Sequence, residues 1–263
     1  MPFVHSNGIK IYYEVQGEGR PLLVISGTGA DLRSPRLPVP EIDNKFQIIR
    51  YDQRGLGQTE TPKPPYTMED YANDAAALLS SLDIDHTNVI GTSFGGMVAQ
   101  HLAARHPRTV NKLILACTSP GGLAYSSYDL RRIIHKPQNI QVTSWLKLLD
   151  SRYGSLEHEL PILDAVETLL STGKRIFPNN VTAGLLNQLE ARSRHDAIQL
   201  LEKIPHSTLI IGGSYDLVAP TQNLQKLNDL IPNSELKLFD GGHLFMLQDA
   251  NAWRCVASFL SED

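Results

Sequence analysis

The chain has 263 residues, of which 41% are hydrophobic and 20% are charged, and its formal net charge is −4. This length suits one domain with a sizeable core, and the composition is ordinary for a globular protein. No basic block indicates a nucleic-acid partner. No segment approaches the roughly 20 consecutive apolar residues that cross a bilayer. From these features we expect neither a nucleic-acid-binding protein nor an integral membrane protein.

The cysteine content and the first residues point to a compartment. Cys117 and Cys255 do not form a CxxC motif, and we expect two separate thiols rather than a disulfide. The first residues lack the basic and apolar regions of a signal peptide. Both features favour the reducing cytoplasm.

The first elements are predicted by Asn7-Gly8, a strong two-residue signal for a β-hairpin, between segments 3–5 and 9–15. Continuous apolar runs of strand length then recur along the chain. Such runs indicate strands that are buried on both faces of a sheet. They are 21–26, 46–51, 88–91, 112–116, 208–211 and 236–239.

Helical patterns lie between these runs. Thr67 to Asp70 is similar to a capping box, and apolar residues at helical spacing follow it to Leu82. A second helix is predicted over 94–105, where His106-Pro107 marks its end. Strands that alternate with helices predict a mostly parallel sheet with helices on both faces.

Residues 121–205 break this alternation, because they contain helical patterns and no strand signal. Helices are predicted near 128–135, 142–149, 162–170 and 181–201, and Gly154, Gly173 and Pro178 separate them. An insertion at this point would lie over the carboxyl ends of the strands, where open α/β sheets bind ligands. We therefore divide the chain into a core domain, residues 1–120 and 206–263, and a helical cap, residues 121–205.

The segment from Gly91 to Gly95 matches the G-x-S-x-G pattern of a nucleophile elbow, with Ser93 at its centre. Such a serine stands on a sharp turn between a strand and a helix, and small residues on either side let the neighbouring chain pass closely. An apolar strand precedes the motif and a helix follows it. This context favours a nucleophile over the alternative, a glycine-rich turn with a solvated serine.

A serine nucleophile needs a base, and in this motif class the chain order is serine, acid, histidine. His243 follows the last predicted strand and two glycines, and Asp216 follows the strand before it. The other position for an acid, 118–120, carries no carboxylate. A structural loop histidine and a carboxylate at a helix start are the alternatives. We predict Ser93, His243 and Asp216 as the catalytic residues.

Two backbone N–H groups must form the oxyanion hole. We expect the first from Phe94 and the second from Thr28, with Gly29 as second choice. The pocket should be largely apolar. Its predicted lining residues are Phe94, Leu123, Tyr125, Trp145, Leu217 and Leu244. Trp145 equally fits the core of the cap. Arg33 is a candidate for a substrate carboxylate, and a solvated arginine is the alternative.

Several blocks of the chain resemble the α/β-hydrolase superfamily, and within it the 3-oxoadipate enol-lactonase and carboxylesterase branch. They are 50–55, 65–67, 91–98, 103–107, 213–216 and 241–243, together with Asp31-Leu32-Arg33 and Arg194-His195-Asp196. The chain departs from the pattern at Ser26, where a histidine is common, and at the proline-rich segment 34–38. These departures concern the pocket rather than the triad.

The resemblance implies an α/β-hydrolase fold, with a mostly parallel eight-stranded sheet, flanking helices and a helical cap. It implies a serine hydrolase that opens a carboxylic ester or lactone through an acyl-enzyme, with no cofactor and no metal. The expected partners are a small substrate and water, and the protein is expected to be a monomer or a homodimer. The alternatives are enol-lactonase-like activity, the same triad acting on C–C or other bonds, and a ligand receptor that retains the triad.

Overall fold

The computed structural model describes residues 2–33, 39–155, 160–171 and 182–262. Its centre is one eight-stranded sheet. The strands are β1 Phe3–Ser6, β2 Ile9–Gln16, β3 Arg20–Ile25, β4 Phe46–Tyr51, β5 Thr87–Thr92, β6 Val110–Ala116, β7 Ser207–Gly213 and β8 Ser234–Phe239. Their spatial order is β1-β2-β4-β3-β5-β6-β7-β8. The pairs β1–β2 and β2–β4 are antiparallel and all other pairs are parallel, which confirms the predicted mostly parallel sheet.

Helices cover both faces of this sheet. Those of the predicted core are α1 Pro40–Asp43, α2 Met68–Ser81, α3 Phe94–Arg105, α9 Thr221–Leu230, α10 Phe245–Gln248 and α11 Asn251–Ser261. Apolar side chains of α2, α3 and α9 pack on one face, and those of α1, α10 and α11 pack on the other. Within the described ranges, no helix combines the length and the apolar character needed to cross a membrane.

Strand β3 shows why the buried strands read as continuous apolar runs. Leu23 and Ile25 belong to the core on one face of the sheet, whereas Leu22 belongs to the core on the opposite face. All three are fully buried. Successive side chains of a strand point to opposite faces, so a strand that is covered on both faces needs apolar residues at every position.

Two local predictions from the sequence are confirmed. Asn7 and Gly8 both have positive φ, 49° and 76°, and they join β1 to β2 as the tight turn that the dipeptide favours. Thr67 caps α2, because its side chain accepts from the Asp70 backbone N–H while the Asp70 carboxylate accepts from that of Thr67. Aspartate thus completes the capping box in place of glutamate.

The predicted insertion is helical where the structure describes it. It contains α4 Arg131–Ile134, α5 Gln138–Leu149, α6 Pro161–Ser171, α7 Ala183–Ser193 and α8 Ile198–Leu201. The single helix predicted over 181–201 is wrong, because the chain turns between α7 and α8. Gly173, Pro178 and residue 181, and the segment 34–38, lie outside the described residues. The division into core and cap stays a prediction.

A buried ion pair joins the loop after β4 to helix α2. Arg54 Nε and Nη2 each lie 2.7 Å from a carboxylate oxygen of Asp74, and Asn7 donates to the same carboxylate at 2.7 Å. The two side chains are 7% and 1% exposed. Because a buried charge loses its hydration, the removal of either side chain would leave the charge of the other buried and uncompensated.

Replacement of Arg54 by methionine is expected to lower the free energy of unfolding by about 3–5 kcal/mol, because Asp74 is left buried without its cation. Urea denaturation of the purified protein measures this change. The control is Arg33→Met, whose pair with Asp31 is exposed on the arginine side and should contribute at most about 1 kcal/mol. Equal effects of the two changes would contradict the expectation.

Candidate active site

Ser93 lies on a strained turn between β5 and α3. Its backbone has φ 54° and ψ −116°, a conformation that residues other than glycine rarely adopt. A Cβ atom on Gly91 would overlap the carbonyl oxygen of Gly95, and one on Gly95 would overlap the carbonyl oxygen of Ile25. The glycines of the motif are therefore required by close backbone packing, and this packing holds the serine at the carboxyl edge of the sheet.

The structure brings the three predicted catalytic side chains together. His243 Nε2 lies 3.1 Å from Ser93 Oγ, and His243 Nδ1 lies 2.7 Å from Asp216 Oδ2. The other carboxylate oxygen of Asp216 accepts hydrogen bonds from the backbone N–H groups of Val218 and Ala219, at 2.7 and 2.9 Å. A hydroxyl, an imidazole and a fixed carboxylate in this order are the arrangement that activates a serine.

The loops that carry Asp216 and His243 share one backbone partner, the carboxyl-terminal end of α5. The N–H of Leu217 donates to the carbonyl of Leu148 at 3.1 Å, and the N–H of His243 donates to the carbonyl of Leu149. The two loops also contact each other, because the N–H of Tyr215 donates to the carbonyl of Gly241 at 2.9 Å. The acid and the base are thus held in register by the insertion as well as by the sheet.

The loop after β3 contacts the nucleophile directly. A Cβ atom on Gly27 would lie 3.5 Å from Ser93 Cβ, so Gly27 lies beside the serine and Thr28 follows it in the loop. Among the described residues, neither Thr28 N–H nor Phe94 N–H has a hydrogen-bond acceptor. The Gly29 N–H, in contrast, donates to Gln188 Oε1 at 2.8 Å. This contact favours Thr28 over the second choice, Gly29, and Thr28 and Phe94 stay the predicted donors.

Two of the predicted lining residues lie on the surface. The Leu123 side chain is completely exposed and Leu217 is 44% exposed, so neither lines an enclosed pocket. Arg33 is also solvated: its side chain is 66% exposed and paired with Asp31. In the structure Arg33 is therefore a solvated surface arginine, which was the alternative interpretation.

The remaining predicted lining residues are buried or half-buried. Phe94 is fully buried and packs edge to face with Tyr71, with ring centroids 5.0 Å apart. Trp145 and Leu244 pack against the apolar cluster of α5 and α6. Tyr125 lies beneath the ammonium of Lys226. The structure therefore places Trp145 in a core, the alternative considered for it.

Other titratable groups near the site are held in their neutral forms. Burial raises the pKa of the Cys117 thiol well above its usual value, so the thiol stays protonated beside the serine turn. Burial lowers the pKa of His101 to about 4 and that of His195 to about 3. His195 Nε2 lies 3.0 Å from the carbonyl oxygen of Ser119. At neutral pH these groups contribute packing and hydrogen bonds rather than charge.

Sequence reasoning missed one side chain in direct contact with the site, Gln188 on α7. It is fully buried, and its amide oxygen fixes the loop that carries Thr28. The available signal was a polar residue on the buried face of an amphipathic helix, between Leu185 and Leu189. A buried polar side chain needs a partner, but the pattern does not show which one.

Comparison with known proteins places the chain in a family. The model of the alpha/beta hydrolase fold matches residues 20–250, and the chain belongs to this family. It is 31% identical to a poly(3-hydroxyalkanoate) depolymerase of Ectopseudomonas oleovorans, over 88% of this chain and 81% of the relative. It is 26% identical to a 2-hydroxymuconate semialdehyde hydrolase of a Pseudomonas strain, over 97% and 92% of the two chains.

The solved structures agree with the sequence comparison. The enol-lactonase from Burkholderia xenovorans LB400 superposes with a TM-score of 0.79 at 25% identity, covering 99% of this chain and all of the other. The predicted resemblance to the α/β-hydrolases and to their enol-lactonase branch is thereby confirmed. The relatives act on different substrates, so the comparisons define the chain as a hydrolase-family protein and leave its bond specificity to the site.

Proposed function

We propose that the protein is a serine hydrolase that cleaves a carboxylic ester or lactone of a small, largely apolar substrate through an acyl-enzyme. The observation that carries this proposal is the chain of contacts from Ser93 Oγ through His243 to Asp216, with separations of 3.1 and 2.7 Å. The depolymerase and the enol-lactonase among the similar proteins support ester or lactone chemistry by their names.

In the proposed mechanism, Ser93 Oγ attacks the carbonyl carbon while His243 Nε2 accepts the hydroxyl proton. The oxygen of the carbonyl becomes negative and accepts hydrogen bonds from the N–H groups of Thr28 and Phe94. Asp216 holds the imidazole in the required tautomer and stabilises its cation. The cation then donates its proton to the leaving oxygen, and a water molecule deprotonated by His243 releases the acyl group from the serine.

The amino-terminal position of Phe94 in α3 adds to the stabilisation of the oxyanion. The first N–H groups of a helix have no acceptor within the helix, and its dipole favours negative charge at this end. Loss of one oxyanion donor typically lowers the rate by about 10²- to 10³-fold. A small change in the Thr28 loop should therefore affect kcat strongly.

A chromogenic short-chain ester, 4-nitrophenyl butyrate, tests this function. We expect steady multiple turnover that survives a metal chelator, and labelling of Ser93 alone by a serine-directed fluorophosphonate, read by peptide mass spectrometry. Covalent labelling without turnover would instead favour a receptor that retains the triad. Rapid hydrolysis of a vinylogous 1,5-diketone, with esters inert, would favour C–C bond cleavage by the same triad.

We also propose that the protein acts in the cytoplasm. The two cysteines are both free thiols, Cys117 buried and Cys255 half-buried. Separate reduced cysteines are usual in a reducing compartment. The expected partners are the substrate and water, as proposed from the sequence.

A further inference from the structure

Strand β8 forms one edge of the eight-stranded sheet. It pairs with β7 on one side, and no strand of the described residues pairs with its outer side. The opposite edge is β1, which has four residues, whereas β8 has six. An edge strand exposes a row of backbone N–H and C=O groups that can pair with another chain, and very short edge strands limit such pairing. Of the two edges, β8 is therefore better suited to bind a further strand.

The direction of the backbone hydrogen bonds shows which residues of β8 face the outer side. The carbonyl oxygens of Asn233 and Phe239 accept backbone hydrogen bonds from the β7 side, at 2.9 and 3.0 Å. Backbone groups of successive strand residues point alternately to the two sides, so the odd-numbered residues of β8 bond to β7. The N–H and C=O groups of Ser234, Leu236 and Leu238 therefore point to the outer side.

The side chains of β8 carry opposite charges on one face of the sheet. Glu235 and Lys237 are two residues apart, and residues at this spacing lie on the same face. Each side chain is 48% exposed, and Lys237 Nζ lies 3.2 Å from Glu235 Oε2. An exposed ion pair of this kind contributes little to stability. Both charges can therefore also interact with a strand that binds to the outer side of β8.

A second copy of the chain is the partner that this pattern fits. Two copies related by a two-fold axis would join their β8 strands antiparallel. With the axis at Leu236, this residue pairs with its own copy and Ser234 pairs with Leu238, so each outward-facing residue has a hydrogen-bonded partner. In the same register, Glu235 of each copy lies opposite Lys237 of the other. These are non-hydrogen-bonded pairs, in which the side chains lie closest.

The same charges disfavour the neighbouring registers. A shift of the axis by one residue toward the amino end places Glu235 opposite its own copy, and a shift toward the carboxyl end places Lys237 opposite its own copy. Like charges directly opposite each other destabilise an antiparallel pair, whereas opposite charges stabilise it. The sequence of β8 thus favours the register in which Ser234, Leu236 and Leu238 all have partners.

Apolar groups lie beside both faces of this edge. A groove of about 490 Å³ lies between β8 and α11, and its lining includes Phe239, Cys255 and Phe259 as well as Lys237. Leu238, whose side chain alternates to the other face of the strand, is 46% exposed. A second copy on the outer side of β8 would cover this apolar surface, and burial of apolar surface is a main driving force of association.

We propose that the protein is a homodimer in which the β8 strands of two copies pair antiparallel about Leu236 and join the two sheets into one. The pairs of Glu235 with Lys237 across the two-fold axis fix the register of the two strands. The proposal concerns the edge of the sheet, and it does not depend on the proposed hydrolase activity.

Complementary charge reversals test the proposal. Glu235→Lys gives each strand two cations and Lys237→Glu gives it two anions, so each variant alone places like charges opposite each other across the axis. We expect analytical ultracentrifugation to show a wild-type dimer and a rise in its dissociation constant of at least about ten-fold in each variant. An equimolar mixture of the two variants should form a heterodimer, and the double variant with both reversals should recover the homodimer.

The matched control is Lys63→Glu. Lys63 is exposed in the loop between β4 and α2, and β4 lies toward the opposite edge of the sheet, so this change of equal charge should leave the dissociation constant unchanged. Circular dichroism and thermal denaturation establish that each variant is folded. A wild-type protein that sediments as a monomer up to millimolar concentration would overturn the proposal. A dimer that both reversals leave intact, or a mixture of folded variants that stays monomeric, would contradict it as well.

Hydrogen exchange locates the contact independently of charge. Exchange in the peptide that contains the N–H groups of Leu236 and Leu238, measured by mass spectrometry, should slow as the concentration of the wild-type protein rises. In Lys237→Glu this exchange should not depend on concentration. Slowing in β1 instead of β8 would place the contact at the opposite edge of the sheet and overturn the proposal.

Discussion

Replacement of Ser93 by alanine is expected to lower kcat for 4-nitrophenyl butyrate by about 10⁴- to 10⁶-fold. The reason is that His243 then has no hydroxyl to deprotonate, and a water molecule attacking in its place is held less well. Stopped-flow or steady-state measurement of released nitrophenolate gives the size of the effect. The residual rate reports what the oxyanion donors and substrate binding contribute without the nucleophile.

The folding control for this variant is its denaturation curve, which should show an unfolding free energy similar to that of the wild type. A chemical control is Ser80→Ala, because Ser80 is exposed on α2 and should have no effect on turnover. Retention of more than about one tenth of the wild-type kcat in Ser93→Ala would place the nucleophile elsewhere and contradict the proposed function.

Replacement of Asp216 by asparagine is expected to lower kcat by about 10⁴-fold, the effect of the same change in serine proteases. One carboxylate oxygen accepts from two backbone N–H groups. In the variant the amide oxygen takes this position, so the amide NH₂ group faces His243 Nδ1. The imidazole must then carry its proton on Nε2, where it cannot accept the proton of Ser93. The same ester assay measures the loss.

Asp240→Asn is the matched control for this change. Asp240 follows β8, is 76% exposed and pairs with Arg152, so the loss of its charge should change kcat by less than about two-fold. A drop in Asp216→Asn of less than ten-fold would show that His243 keeps its orientation without a carboxylate. That result would leave Ser93 and His243 as a dyad and remove Asp216 from the mechanism.

Some parts of this site could be predicted from the sequence, because the interactions that form them join residues that are close in the chain. The spacing of Gly91, Ser93 and Gly95 follows from a strand, a turn and a helix that meet within a few residues, and each is visible in the pattern of apolar side chains. His243 and Asp216 could be placed because each follows a recognisable strand. Residues that follow recognisable strands can therefore be placed at the edge of the sheet without knowledge of contacts between distant segments.

The parts that could not be predicted depend on contacts between distant segments. The acceptor of the Gly29 N–H is Gln188, which is 159 residues away in the sequence. The exposure of Leu123 could not be predicted, because the sequence shows an apolar side chain but not whether a neighbour covers it. Arg33 and Arg192 have the same side chain. Only the structure shows that Arg33 is exposed and pairs with Asp31, whereas Arg192 is buried.

The anchoring of the acid and histidine loops on the end of α5 limits how this chain can be recombined. A chimaera that exchanged residues 121–205 for the corresponding segment of another hydrolase would also exchange the carbonyl acceptors of Leu148 and Leu149. The transplanted segment would need a helix end at the same height and phase, or Leu217 and His243 would each lose a backbone partner. In this protein, therefore, an exchange of residues 121–205 would also exchange two backbone partners of the loops that carry Asp216 and His243.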